Sequence, residues 1–119
     1  MLIPLDEETS WKIEKAIRGV EKALVDKDFK RVISLTKESR LTAQDIETTL
    51  NKYGGKVTIA PDYVFDSLEI IPISGPNSKS WHVDFDLWID GKQSDLTLSL
   101  TTNLTDKGAI LSIDNFHIL

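Results

Sequence analysis

The stretch Trp81-His82-Val83-Asp84-Phe85-Asp86-Leu87-Trp88-Ile89-Asp90 constrains the fold more than any other part of the chain. Apolar and polar residues alternate through it, and a period of two sends alternate side chains to opposite faces of a β-strand. Val83, Phe85 and Leu87 then point to a core, while His82, Asp84, Asp86, Trp88 and Asp90 point away from it. Asp90-Gly91 is a turn signal, because a type I′ turn needs two residues at positive φ. A strand over residues 93–102 follows, with Leu96, Leu98 and Leu100 on one parity. With Ile89 opposite Lys92, Phe85 faces Leu96 and Val83 faces Leu98, and outside them Asp86 faces Asp95. Like charges directly opposite are destabilising. A register displaced by two residues keeps both faces and makes the two aspartates diagonal neighbours. Both registers leave an acidic patch beside Trp88.

The first third of the chain reads as helical. Ile13, Ala16, Ile17, Val20, Ala23 and Leu24 recur at spacings of three and four. Asp6 or Thr9 can cap the start, and Glu7 and Glu8 suit the positive end of the helix dipole. Gly19 weakens that helix by roughly 1 kcal/mol relative to Ala unless it permits close packing. Asp28 reads as the cap of a short second helix with Phe29, Val32, Ile33 and Leu35 inward. Thr42-Ala43-Gln44-Asp45 resembles a capping box, opening a third helix with Ile46, Leu50 and Tyr53 inward. Gly54-Gly55 ends it.

From Lys56 the pattern turns to β. A short strand is expected over 56–59, a second over 64–73 with Pro72 at an edge or bulge, and a loop over 74–78. Thr105-Asp106-Lys107-Gly108 is a second turn, and a last strand runs over 109–119. In that strand Leu111 and Ile113 lie on one parity, Phe116 and Ile118 on the other. A bulge near Asp114-Asn115 would bring both pairs to one side; otherwise both faces are covered. The pattern predicts a single α+β domain over 1–119. Its helical part, 1–55, packs on an antiparallel sheet of about four strands, 56–119.

Charge narrows the function classes. Residues 1–60 carry eleven Lys/Arg and ten Asp/Glu, whereas residues 61–119 carry three and nine. A net charge of −5 argues against general nucleic-acid binding, which needs a basic surface, and suits a basic protein partner. The chain has no cysteine, hence no disulfide framework and no thiolate nucleophile. Its first residues, Met1-Leu2-Ile3-Pro4-Leu5-Asp6, lack the basic region of a secretory signal, and no stretch is long and apolar enough to span a membrane. The expectation is a cytoplasmic protein.

The candidate partner-binding residues are His82, Asp84, Asp86, Trp88, Asp90 and Asp95. They put one sign of charge on one face, with only Lys92 nearby to balance it, and Trp is enriched at the centres of interfaces. The competing reading is an ordinary solvated outer face, with Trp88 packed under a helix, a terminus or a dimer mate. His82, Asp84 and Asp86, with His117 in the last strand, contain metal-ligand types but no ligand-spacing motif, and no metal or cofactor is expected. Tyr53, Tyr63 and Asp66 could line a pocket between helices and sheet, but the facing strand positions are all apolar. No nucleophile arrangement or phosphate-binding loop points to an enzyme. Lys12, Lys15, Arg18, Lys22, Lys27, Lys30 and Arg31 are scattered among acids, as in Glu14–Arg18, and read as a solvated helix face.

Helices followed by a long-stranded antiparallel sheet resemble the order of cystatin-like and NTF2-like folds, in which the helices pack on a bent sheet. The segments Trp81-His82-Val83-Asp84-Phe85-Asp86-Leu87-Trp88, Ser94-Asp95-Leu96-Thr97-Leu98-Ser99-Leu100 and Ile113-Asp114-Asn115-Phe116-His117-Ile118-Leu119 resemble a group of small bacterial proteins of this layout. Some bacterial proteins of this size, acidity and fold class are immunity proteins that neutralise a toxin domain delivered between competing cells. The resemblance implies a non-catalytic inhibitor of a basic toxin, a nuclease domain by class, acting as a monomer or weak homodimer. It carries no functional motif, so no residue role follows from it. The alternatives are an NTF2-like domain with a ligand-binding or enzymatic cavity, and a self-associating module.

Overall fold

In the computed structural model, residues 6–75 and 79–118 are described. Residues 1–5, part of the expected 74–78 loop and the final Leu119 lie outside them. The protein is α+β: helices packed against an open, antiparallel sheet. Helix α1 spans Glu7–Val25, α2 Phe29–Ser34 and α3 Ala43–Tyr53. The local signals set these boundaries. Asp6 accepts the Thr9 N–H at 2.7 Å, Asp28 accepts the Arg31 N–H at 3.2 Å, and Thr42 and Asp45 form a reciprocal capping box.

Strands β1 (Val57–Thr58), β2 (Ile70–Pro72), β3 (Ser80–Ile89), β4 (Lys92–Thr105) and β5 (Gly108–Ile118) make the sheet. Its order is β1-β3-β4-β5, and β2 pairs with the same edge of β3 as β1. Strand β1 meets Trp88 and Ile89 at one end of β3, and β2 meets Trp81, His82 and Val83 at the other.

The chain between those two pairings departs from the expected strand over 64–73. Only Ile70–Pro72 pairs, and Asp62–Asp66 forms a single-turn helix, α4. The chain must pass along the middle of β3 to reach its far end, and Pro61, at φ −61°, starts the turn. Phe65 then stacks on Phe85 with ring centres 5.5 Å apart. Tertiary contact decides the conformation here, against the local β preference of Val64 and Phe65.

The inner face of the sheet is the core. Val83, Phe85, Leu87, Leu96, Leu98, Leu100, Leu111 and Ile113 are buried against Ile13, Ile17, Val20 and Leu24 of α1. The opposite edge of the sheet is covered where Lys37 N–H donates to Leu111 O at 2.8 Å and Arg40 N–H to Ile113 O at 3.1 Å. Edge strands left open invite pairing with other chains, and this loop shields one.

Candidate functional site

The hairpin that carries the acidic residues turns where the sequence indicates, with Asp90 at φ 52° and Gly91 at φ 79°. Ile89 faces Lys92, and Trp88 faces Gln93. A bulge then inserts two residues into β4, so that Asp86 faces Thr97 and Asp84 faces Ser99. The register is therefore the displaced one beyond Trp88, and the clash of Asp86 with Asp95 does not arise. Asp95 sits in the bulge and accepts a hydrogen bond from Tyr53 of α3 at 2.5 Å. Its side chain is thus tied to the helical layer rather than to the bonded group around Asp84 and Asp86.

A second bulge lies in β5, where Ser99 faces Asn115 and Leu100 faces Ile113. The extra residue is Asp114. Leu111, Ile113, Phe116 and Ile118 are thereby aligned with the inward positions of β4, which resolves the two readings of that strand in favour of the bulge. Asp114 joins the outer face, accepting from Thr101 Oγ1 at 2.8 Å and lying 4.0 Å from His82 Nδ1.

The outer face is a bonded polar layer. Asp86 accepts from Thr97 Oγ1 at 2.6 Å and from Gln93 Nε2 at 3.0 Å. Asp84 Oδ1 accepts from Ser99 Oγ at 2.7 Å and lies 2.9 Å from His82 Nε2. An ionised carboxylate only accepts, so His82 Nε2 carries the proton of that contact. Ser99 has given its hydrogen to Asp84, so the 3.2 Å contact with His117 Nδ1 has the imidazole as donor. A serine nucleophile needs the reverse, with its hydroxyl donating to a histidine. Burial would raise the Asp84 carboxyl, but the Ser99 hydrogen bond and the His82 and His117 contacts outweigh it and hold it below the usual carboxylate value. Asp84 therefore stays negative.

Trp88 is partly buried, covered edge-on by Tyr63 of α4 with ring centres 6.4 Å apart. The helix reading of its packing is the one the structure adopts. Its indole Nε1 is buried and has no hydrogen-bond partner among the described residues. Asp90 serves the turn: it accepts the Lys56 N–H at 3.0 Å and fastens β1 to the hairpin. Tyr53 and Tyr63 do not share a cavity with Asp66. Tyr53 is bonded to Asp95, and Tyr63 is 64% exposed beside Trp88.

His82, Asp84, Asp86 and Trp88 thus share one face of β3, with Asp90 at its tip and Asp95 displaced. Asp114, Thr97, Ser99, Thr101 and His117 belong to the same layer. Thr97, Ser99 and Thr101 follow from alternation along β4, whereas His117 reaches the layer only through the β5 bulge at which Asp114 is the extra residue. Ile71, 49% exposed and facing His82 across the β2–β3 pairing, adds an apolar corner. Among the described residues, no Lys or Arg forms an ion pair with Asp84, Asp86 or Asp114. Nor is any group of three His, Cys, Asp or Glu arranged for a metal ion among them.

The sequence model of a family described as Domain of unknown function (DUF7668) matches residues 21–119, and the chain belongs to that family. No curated protein matches the chain. No solved structure matches it either.

Proposed function

We propose that this family member is a non-catalytic inhibitor that docks the outer face of its sheet on a basic protein. The partner class is a bacterial toxin domain, and a nuclease fits best, because a nuclease must present a positive surface to its substrate's phosphates. The observation that carries the reading is the unbalanced charge of the face: Asp84, Asp86 and Asp114 have no Lys or Arg pair among the described residues. Their hydrogen bonds come from neutral hydroxyls, an amide and His82, which orient the carboxylates and leave most of their charge available. Oriented acids steer a basic partner into register, and Ile71, Tyr63 and Trp88 provide apolar contact at the margins.

The inhibitor acts by occupation: its carboxylates take the place of substrate phosphates. Such a protein works in the cytoplasm of the cell that it protects, and no helix among the described residues is long and apolar enough to cross a membrane. The test is to add the chain, in increasing molar ratio, to the product of the gene immediately upstream in its source genome. Loss of that protein's activity at one equivalent is the expected result. Full activity in the presence of excess chain contradicts the proposal.

A further inference from the structure

Helix α4 has aromatic residues on two sides, and its inner side already holds a cation. The Arg18 guanidinium lies 3.9 Å from the centre of the Phe65 ring. It also pairs with Asp62 and Glu14, each at 3.2 Å. Guanidinium suits such a place because its flat face stacks on an aromatic ring while its edge donates to carboxylates.

On the other side of α4 the same parts recur without a cation from this chain. A groove of about 360 Å³ runs between α4 and β3, lined by Tyr63, Leu68, Glu69, Asp84, Asp86 and Trp88 among others. No Lys or Arg is among its lining residues, and none forms an ion pair with Glu69, Asp84 or Asp86 among the described residues. Asp84 and Asp86 are two positions apart on β3, so their Cα atoms are separated by about 6.5–7 Å. Each Asp86 oxygen already accepts one hydrogen bond, from Thr97 and Gln93, and each keeps a second lone pair for an incoming donor.

We infer that the α4–β3 groove is a socket for an arginine side chain of the partner. This deepens the docking reading and rests on it for the partner's identity, though not for the chemistry of the groove. The guanidinium stacks against the Tyr63–Trp88 pair and donates to Asp84 and Asp86, as Arg18 does with Phe65, Asp62 and Glu14. Arginine is favoured over lysine because an ammonium neither stacks flat nor forks onto a carboxylate.

The experiment follows the three indole N–H signals of the chain by ¹⁵N NMR, with Trp88→Phe to assign that of Trp88. The probe is a capped Gly-Arg-Gly peptide; controls replace arginine with citrulline, which keeps the shape and removes the charge, or with lysine. The expected result is a saturable shift of the Trp88 signal with the arginine peptide, with Trp11 and Trp81 unmoved. Citrulline should bind at least about tenfold more weakly. Tyr63→Ala, which removes a largely exposed ring, should weaken the arginine peptide by about fivefold. Equal binding of arginine and citrulline, or no response at Trp88, overturns the socket. If the Asp84 and Asp86 signals move while Trp88 and Tyr63 do not, the face binds cations outside the groove: the socket fails and the docking face survives. A Trp88 response without inhibition of the upstream gene product supports the socket and removes the toxin partner.

Discussion

Glu21 is the charged side chain most at odds with its surroundings. It is 2% exposed on the apolar side of α1, and its Oε2 accepts the Ala60 N–H at 3.1 Å. Burial pushes its carboxyl up, opposed by the Ala60 N–H and by the charge of Arg18. A raised native value means that the folded state holds a proton which the unfolded state has lost. Stability therefore declines as pH rises from the unfolded value through the native one, and is flat above it. Glu21→Gln keeps the acceptor and abolishes that decline, so urea titrations at several pH values should show a flatter, equal or higher stability. Glu21→Ala leaves the Ala60 N–H unpaired and should cost about 1–3 kcal/mol. Asp84 has the opposite sign. Its lowered native value stabilises the fold above the unfolded value, and that contribution is lost as pH falls through the native one. Asp84→Asn should remove this acid-side loss.

Two glycines show how differently the elements depend on the same residue. Gly55, between α3 and β1, has φ +77°, and a Cβ there would lie 2.5 Å from Ile89 Cγ2 and 2.7 Å from Asp90 Oδ2. Gly55→Ala should cost about 1–3 kcal/mol and loosen β1, measured by thermal melts and amide exchange at Thr58. Gly19 lies in regular helix, and its added Cβ would meet only Leu35 Cδ1, at 4.0 Å. Gly19→Ala should therefore stabilise α1 by roughly 0.5–1 kcal/mol. Elements governed by neighbours in sequence were legible from it: the Asp6, Asp28 and Thr42 caps, the Gly54 stop and the Asp90-Gly91 turn all depend on residues a few positions apart. Helix α4 was not, because its form follows from where β1 and β2 attach to β3. The site divides along the same line. Asp84, Asp86 and Trp88 follow from alternation within one strand, whereas the place of Asp95 and Asp114 follows from bulges set by strand pairing.

Across the whole molecule, the two halves differ in charge and in role. The first 60 residues are close to neutral, and their helices cover the inner face of the sheet. The remaining 59 hold nine of the nineteen acids against three bases, and Asp84, Asp86 and Asp114 lie on the outer face of the sheet. Under the proposed docking, this arrangement makes association a long-range event, faster at low ionic strength and slowed as salt screens the charges, because the Debye length shrinks from about 30 Å at 0.01 M to about 10 Å at 0.1 M. Substitution by Asn at Asp84 and Asp86 retains an oxygen acceptor for the Ser99 and Thr97 hydroxyls while removing two charges, so it tests charge with those contacts kept. The deciding measurement is the stopped-flow association rate with the upstream gene product across that salt range, for the wild type and for Asp84→Asn/Asp86→Asn. Docking by the acidic face predicts a steep fall with salt for the wild type, and for the variant a rate lowered about tenfold or more at low salt with a shallower slope. Equal rates and equal slopes for the two proteins would contradict it.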